Sequence, residues 1–173
     1  MDRFRTLLCD ITNHCNNRCV FCFNGWDKPA LMEENIFKII IDHMYDYVED
    51  WILISCLFEP TLHPHFLDFM EYIPKNKKDK IFFTSNIARK FSDGYFYRMA
   101  QCNFHHINIS LETLDENKYK FITKNSQGNF YRNLKVLVDE FSKVRNHPYI
   151  HFITMVTRDN KDEILAIARF AKE

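Results

Sequence analysis

The sequence predicts an α/β domain built on a parallel sheet, an incomplete TIM-like barrel of about five strand–helix units. Three observations predict it. Short apolar runs alternate with amphipathic stretches along the whole chain. Each such unit takes about 30 residues. The 173 residues therefore hold about five units, whereas a closed eight-stranded barrel needs about 250 residues. One buried core suffices at this length, so residues 1–173 are expected to form a single domain. With 46% hydrophobic and 27% charged residues, the composition is that of a folded globular chain.

The first strand covers residues 4–11 and leads into a long loop carrying three cysteines. A helix over 33–48 follows, with the apolar stripe Ile36, Ile40, Met44 and Tyr47. The second strand, 51–56, runs into a loop over 57–64 and a short helix from His65 that Pro74 terminates. The third strand is 81–84. A helix over 93–101, with Ser92 or Asp93 as N-cap, precedes the fourth strand, 106–111. There Ile107, Ile109 and Leu111 share one face, and Asn108 and Ser110 the other. Next come a helical piece over 115–122, a loop with Gly128, and a helix with the stripe Phe130, Leu134, Leu137 and Phe141. The fifth strand is 149–156. The last helix starts near Lys161 and presents Ile164, Leu165, Ala168 and Phe170. In parallel α/β folds the working residues gather at the C-terminal ends of strands, so the loops after strands one to four are expected to form one surface.

Basic and acidic side chains balance to a formal net charge of zero, and neither sign forms a long block, so the chain lacks an electrostatic footprint for nucleic acid. The basic run from Lys75 to Lys80 reads as a turn between a helix and a strand. No segment approaches the ~18 consecutive apolar residues of a membrane span, and no signal peptide follows Met1, so a cytoplasmic location is expected. Six cysteines in that setting point to metal or redox use.

Cys15, Cys19 and Cys22 have the spacing Cys-x3-Cys-x2-Cys and follow the first strand, on the expected working surface. Three thiolates in one tight loop suit an iron–sulfur cluster. With three protein ligands a [4Fe–4S] cluster keeps one iron open, and an open position is what lets a metal site bind and activate a ligand. The same residues admit a zinc site completed by His14, or three ordinary thiols; a zinc ribbon would supply a second close ligand pair, which the chain lacks. Cys9 and Cys102 read as core thiols. Cys56, at the end of strand two, reads as a small buried residue or as an additional ligand or radical relay. His63 and His65 read as parts of a capped loop, and His105 and His106 as strand-entry residues.

The run Asp10, Ile11, Thr12, Asn13, His14 and Cys15 through Cys22 resembles the signature of the radical S-adenosylmethionine (SAM) superfamily, together with its preceding strand. The resemblance implies a partial radical SAM barrel holding a [4Fe–4S] cluster on Cys15, Cys19 and Cys22. It places Phe21 near the adenine of SAM. Glu59 through Pro64 resemble the end of a Gly-Gly-Glu-Pro motif, with Glu59 retained as a SAM-binding candidate. Cys56, Leu57 and Phe58 stand where glycine is common and the backbone approaches the methionine amino group, so side chains there are expected to crowd the ligand. Thr84, Ser85 and Asn86, then Ser110, Leu111 and Glu112, resemble elements whose polar groups contact the carboxylate and ribose of SAM, which nominates Ser85, Ser110 and Glu112.

The activity so implied is reductive cleavage of SAM to a 5′-deoxyadenosyl radical that takes hydrogen from an unknown substrate, with a flavodoxin- or ferredoxin-like electron donor. Family members commonly have a sixth strand and often a C-terminal region with further cysteines, which this chain is expected to lack. Its open fifth-strand edge is expected to pair with a second copy or a partner chain. Two other readings share the features: a non-catalytic iron–sulfur module, in which Leu57 and Phe58 block SAM, and a truncated, inactive barrel fragment.

Overall fold

Apolar side chains at alternate positions produce five short strands: β1 (Phe4–Cys9), β2 (Val48–Ile54), β3 (Ile81–Ser85), β4 (His106–Ser110) and β5 (Tyr149–Ile153). They pair in parallel, in the order β1-β2-β3-β4-β5. The structure, a computed structural model, describes residues 3–23, 28–125 and 128–172. The crossovers carry α1 (Glu34–Ile39), α2 (Phe66–Tyr72), α3 (Tyr95–Ala100), and the pair α4 (Glu116–Thr123) and α5 (Phe130–Ser142); α6 (Ile164–Phe170) follows β5. Because every strand runs the same way, all five C-terminal ends lie on one rim.

One face of the sheet is sealed by helices. Ile52, Ile54, Ile81, Phe83, Ile107 and Ile109 are buried, and Phe66 meets Phe83 edge-on at 4.9 Å. The stripe Phe130, Leu134, Leu137 and Phe141 is buried as expected. The basic run forms a 3₁₀ turn, Lys75–Lys80, and its ammonium groups close the preceding unit: Lys77 Nζ donates to Ile41 O at 2.7 Å and Lys80 Nζ to Val48 O at 2.5 Å. Among the described residues no helix is long and apolar enough to cross a membrane.

Several element bounds differ from the sequence expectation. The helix expected over 33–48 is α only to Ile39, widens into a π turn over Ile40–Met44 and tightens into a 3₁₀ turn over Tyr45–Tyr47. Its buried residues are Phe37, Ile41, Tyr45 and then Val48, one position on from the expected stripe. The ring of Phe37, stacked on Phe69 at 4.5 Å, fixes that phase, and the wide turn shifts it so that β2 starts at Val48. Neither Ser92 nor Asp93 caps α3; the chain turns at Gly94, whose φ of 75° glycine adopts without penalty. β5 ends at Ile153, because Thr154 and Met155 bond to the loop after β4 instead of continuing the ladder. In α6 the buried residue is Ile167, while Leu165 is 73% exposed.

The other face of the sheet has an aromatic floor at the N-terminal ends of its strands. His106 stacks on Phe82 and on His151, each at 4.3 Å, Trp51 lies edge-on at 5.6 Å, and the Nδ1 atoms of His105 and His106 are hydrogen-bonded at 2.7 Å. Burial, aided by His151 and His105, lowers the His106 pKa from the usual 6.5 to about 4. The unfolded chain therefore takes up a proton near pH 6.5 that the folded chain refuses until about pH 4. Thermal melts should lose on the order of 5–10 °C of midpoint from this residue between those values, corresponding to about 3 kcal/mol at most. In His106→Phe, which keeps the stacking, that part of the acid loss should disappear; an unchanged acid limb would contradict this origin.

Candidate functional site

The cysteine loop is pinned from three sides. Met32 N donates to Ile11 O at 2.8 Å, and Asn13 exchanges bonds with Ala30. Glu59 N donates to His14 O at 3.0 Å. Arg18 N reaches Thr123 O at 2.9 Å and Val20 N reaches Ile122 O at 2.8 Å, docking the loop on the C-terminal end of α4, where four carbonyls lack helical partners. Within the loop Cys22 N donates to Cys19 O at 3.0 Å. Cys15 Sγ accepts from Asn17 N at 3.4 Å and from Asn86 Nδ2 at 3.6 Å.

The three thiols line a cavity of about 360 Å³ at the C-terminal rim of the sheet. Its wall is built from Cys15, Cys19, Phe21 and Cys22, then Cys56 to Glu59 after β2, Thr84 to Asn86 at the end of β3, Ser110 and Glu112 at the end of β4, and Ile153 to Met155 after β5. Every sequence-nominated site residue is therefore brought together. Burial pushes the Cys15 thiol up to about 11 and the Cys19 thiol up to about 12. Among the described residues no three His, Cys, Asp or Glu side chains gather closely enough to hold a single ion.

The nominated polar residues divide into two kinds. The carboxylate of Glu59, 1% exposed, accepts from Thr61 N at 3.1 Å, Thr61 Oγ1 at 2.6 Å, Ser85 Oγ at 2.7 Å and Asn86 N at 2.7 Å. Burial raises its pKa and these four donors oppose the rise. Ser85 Oγ also accepts from Ile87 N at 3.0 Å. Glu59 and Ser85 thus hold the wall together while both line the cavity. Ser110 and Glu112 face the cavity with capacity to spare: among the described residues the Ser110 hydroxyl has no partner, and the Glu112 carboxyl accepts only from Met155 N, at 3.0 Å through Oε2. Burial raises the Glu112 carboxyl to about 7. Phe21 is half-buried on the same wall.

Leu57 and Phe58 do not fill the cavity. Leu57 is 44% exposed, and the segment is turned at Ser55, whose φ is 73° and whose Oγ donates to Phe58 O at 2.6 Å. Cys56 is exposed on the cavity wall, not the small buried residue expected, because that turn carries it out of the strand. Cys9 and Cys102 are buried core thiols. His63 and His65 form the expected capped loop: His63 Nε2 bonds Met32 O at 3.0 Å, its Nδ1 accepts from His65 N at 3.1 Å, and His65 pairs with Asp68.

Sequence reasoning passed over Asn86, which grips Cys15, although it adjoins Ser85 in a quoted motif. It also missed the buried pair Asn17 and Asn125, joined at 2.6 Å, and Tyr119, which lines the cavity and stacks on Phe130 at 4.6 Å. No local signal marks partners 108 positions apart.

A cysteine-lined cavity on the C-terminal rim of an open parallel α/β sheet lies where parallel α/β enzymes gather their working residues. Residues 10–171 match the model of the Radical SAM superfamily, and the chain belongs to that superfamily, whose cofactors are a [4Fe–4S] cluster and SAM. It is 26% identical over 170 residues to a tungsten-containing aldehyde ferredoxin oxidoreductase cofactor-modifying protein of Pyrococcus furiosus, covering 95% of this chain and 47% of that one. To a GTP 3′,8-cyclase of Pasteurella multocida it is 30% identical over 127 residues, 70% of this chain and 37% of the relative. The chain thus spans about half or less of the length of these curated relatives. Among solved structures, Streptococcus suis SuiB bound to S-adenosylmethionine superposes with a TM-score of 0.70 at 18% identity, over 99% of this chain and 39% of that one.

Proposed function

We propose that Cys15, Cys19 and Cys22 hold the [4Fe–4S] cluster and that SAM occupies the cavity beside them. The observation that carries this reading is the convergence of the three thiols with Phe21, Ser110 and Glu112 on one wall. Bound there, the cluster would supply one electron for cleavage of the SAM sulfonium to methionine, and the resulting 5′-deoxyadenosyl radical would take a hydrogen atom from substrate. The protein's part is to bind, orient and exclude water. Asn17 N–H and Asn86 Nδ2 point hydrogen bonds at Cys15 Sγ and favour its thiolate. Phe21 offers an apolar face for adenine. Ser110 offers a hydroxyl, and Glu112 an acceptor for ribose or, protonated, a donor to a carboxylate. Glu59 and Ser85 keep this wall in place. A flavodoxin- or ferredoxin-like protein supplies the electron, and the outer edge of β5, which carries no further strand among the described residues, pairs with a second copy.

Anaerobic reconstitution, reduction with dithionite and addition of SAM should yield 5′-deoxyadenosine by chromatography, and a Cys15, Cys19 and Cys22 triple-alanine variant should yield none. Iron incorporation without product would leave an electron-transfer or structural module, and no incorporation would sink the reading. Sedimentation at micromolar concentration should show self-association; a monodisperse monomer would contradict the edge pairing.

A further inference from the structure

Leu57 and Phe58 stand where the superfamily's second motif commonly has glycine, yet the cavity stays open. The reason is a zipper between two loops of different units. Ser55 N donates to Cys9 O at 2.8 Å, Cys56 N and Leu57 N both donate to Asp10 Oδ1, at 2.8 and 3.1 Å, and Glu59 N donates to His14 O at 3.0 Å. The backbone ladder between β1 and β2 ends at the first of these bonds, and one side-chain oxygen takes over where it ends. Two N–H groups on one carboxylate oxygen form charge-assisted bonds, roughly twice as strong as neutral ones. They act on a segment that needs restraint: Ser55 sits at φ 73°, a conformation that a non-glycine residue adopts only where its surroundings hold it. The next zipper bond ends at His14, beside Cys15, so the cluster loop and the loop after β2 move together.

We infer that Asp10 is a positioning residue for SAM: by holding the backbone of Cys56 and Leu57 against the end of β1, it does for this chain what glycines do elsewhere, keeping bulky side chains out of the ligand cavity. The inference rests on the proposed binding of SAM in that cavity. Asp10 itself does not line the cavity and acts through the segment it clamps.

The test uses the reconstituted chain, with SAM affinity measured by equilibrium dialysis of radiolabelled SAM and with amide hydrogen exchange read over 55–59. Asp10→Ala should weaken SAM binding about tenfold with iron content unchanged, a difference of about 1.4 kcal/mol. It should raise KM for SAM more than it lowers kcat. Asp10→Asn, which keeps an acceptor oxygen at the same place, should recover most of the affinity. In the wild-type chain the amides of Cys56 and Leu57 should be protected, and in Asp10→Ala they should exchange about tenfold faster. Equal SAM affinity in wild type and Asp10→Ala would overturn the inference alone, as would unprotected Cys56 and Leu57 amides in the wild type, a readout that needs no variant to fold. A wild-type chain with a full cluster that binds no SAM would overturn the proposed function and the inference with it.

Discussion

A buried glutamate joins three of the segments that make the rim. Glu59 has no cationic partner among the described residues, yet its two oxygens collect four donors from Thr61, Ser85 and Asn86, and its own N–H is spent on His14. The side-chain bonds oppose the cost of burial, which still leaves the Glu59 pKa raised, and the N–H bond to His14 adds a third link. Through them the loop after β2 is locked to the end of β3 and to the residue before Cys15. Asn86, held by its backbone N–H, then turns its side chain to Cys15 Sγ and to Asn16 Oδ1 at 3.0 Å. Removal of that carboxylate would leave the buried donors of Thr61, Ser85 and Asn86 unpaired next to the point where the cysteine loop is seated.

The rim is also where the backbone departs from its preferred conformations. Ser55 has φ 73°, and Ile87, a β-branched residue, has φ 41°. Both sit just past a strand end and both are over-determined: Ser55 by Phe58 and the ladder to Cys9, Ile87 by Ser85 Oγ and by Asn133, whose side-chain amide donates to Ile87 O at 2.6 Å and to Arg89 O at 2.8 Å. The helix-covered face, where Phe37, Phe66, Phe69 and Phe83 pack, supplies the stability that keeps such turns in place. An aromatic floor at one end of the open face and a strained polar rim at the other divide structure from chemistry along each strand.

Much of this could be read from the chain. The order of strands and helices followed from apolar periodicity, because burial on one face leaves a mark at fixed spacing; the alternation of Ile107 and Ile109 against Asn108 and Ser110 in β4 is an instance. The cysteine motif was legible because its three cysteines lie within one short loop. The phase of the first helix was not, since Ile36, Ile40 and Met44 offer as regular a stripe as Phe37, Ile41 and Tyr45, and only the stack on Phe69 decides between them. Nor could the sequence say that Glu59 and Ser85 would turn to each other while Ser110 and Glu112 stayed open to the cavity. A motif names the side chains, but their partners come from segments far away in the chain, as Asn125 does for Asn17 and Glu59 for Ser85.

The central claim is that this rim holds a four-iron cluster with a coordination position left for SAM. Electron paramagnetic resonance of the reconstituted, dithionite-reduced chain, recorded with and without SAM, tests it most directly. A reduced [4Fe–4S] signal that changes shape when SAM is added is the predicted result. The absence of a [4Fe–4S] signal, or a signal indifferent to saturating SAM, would contradict it.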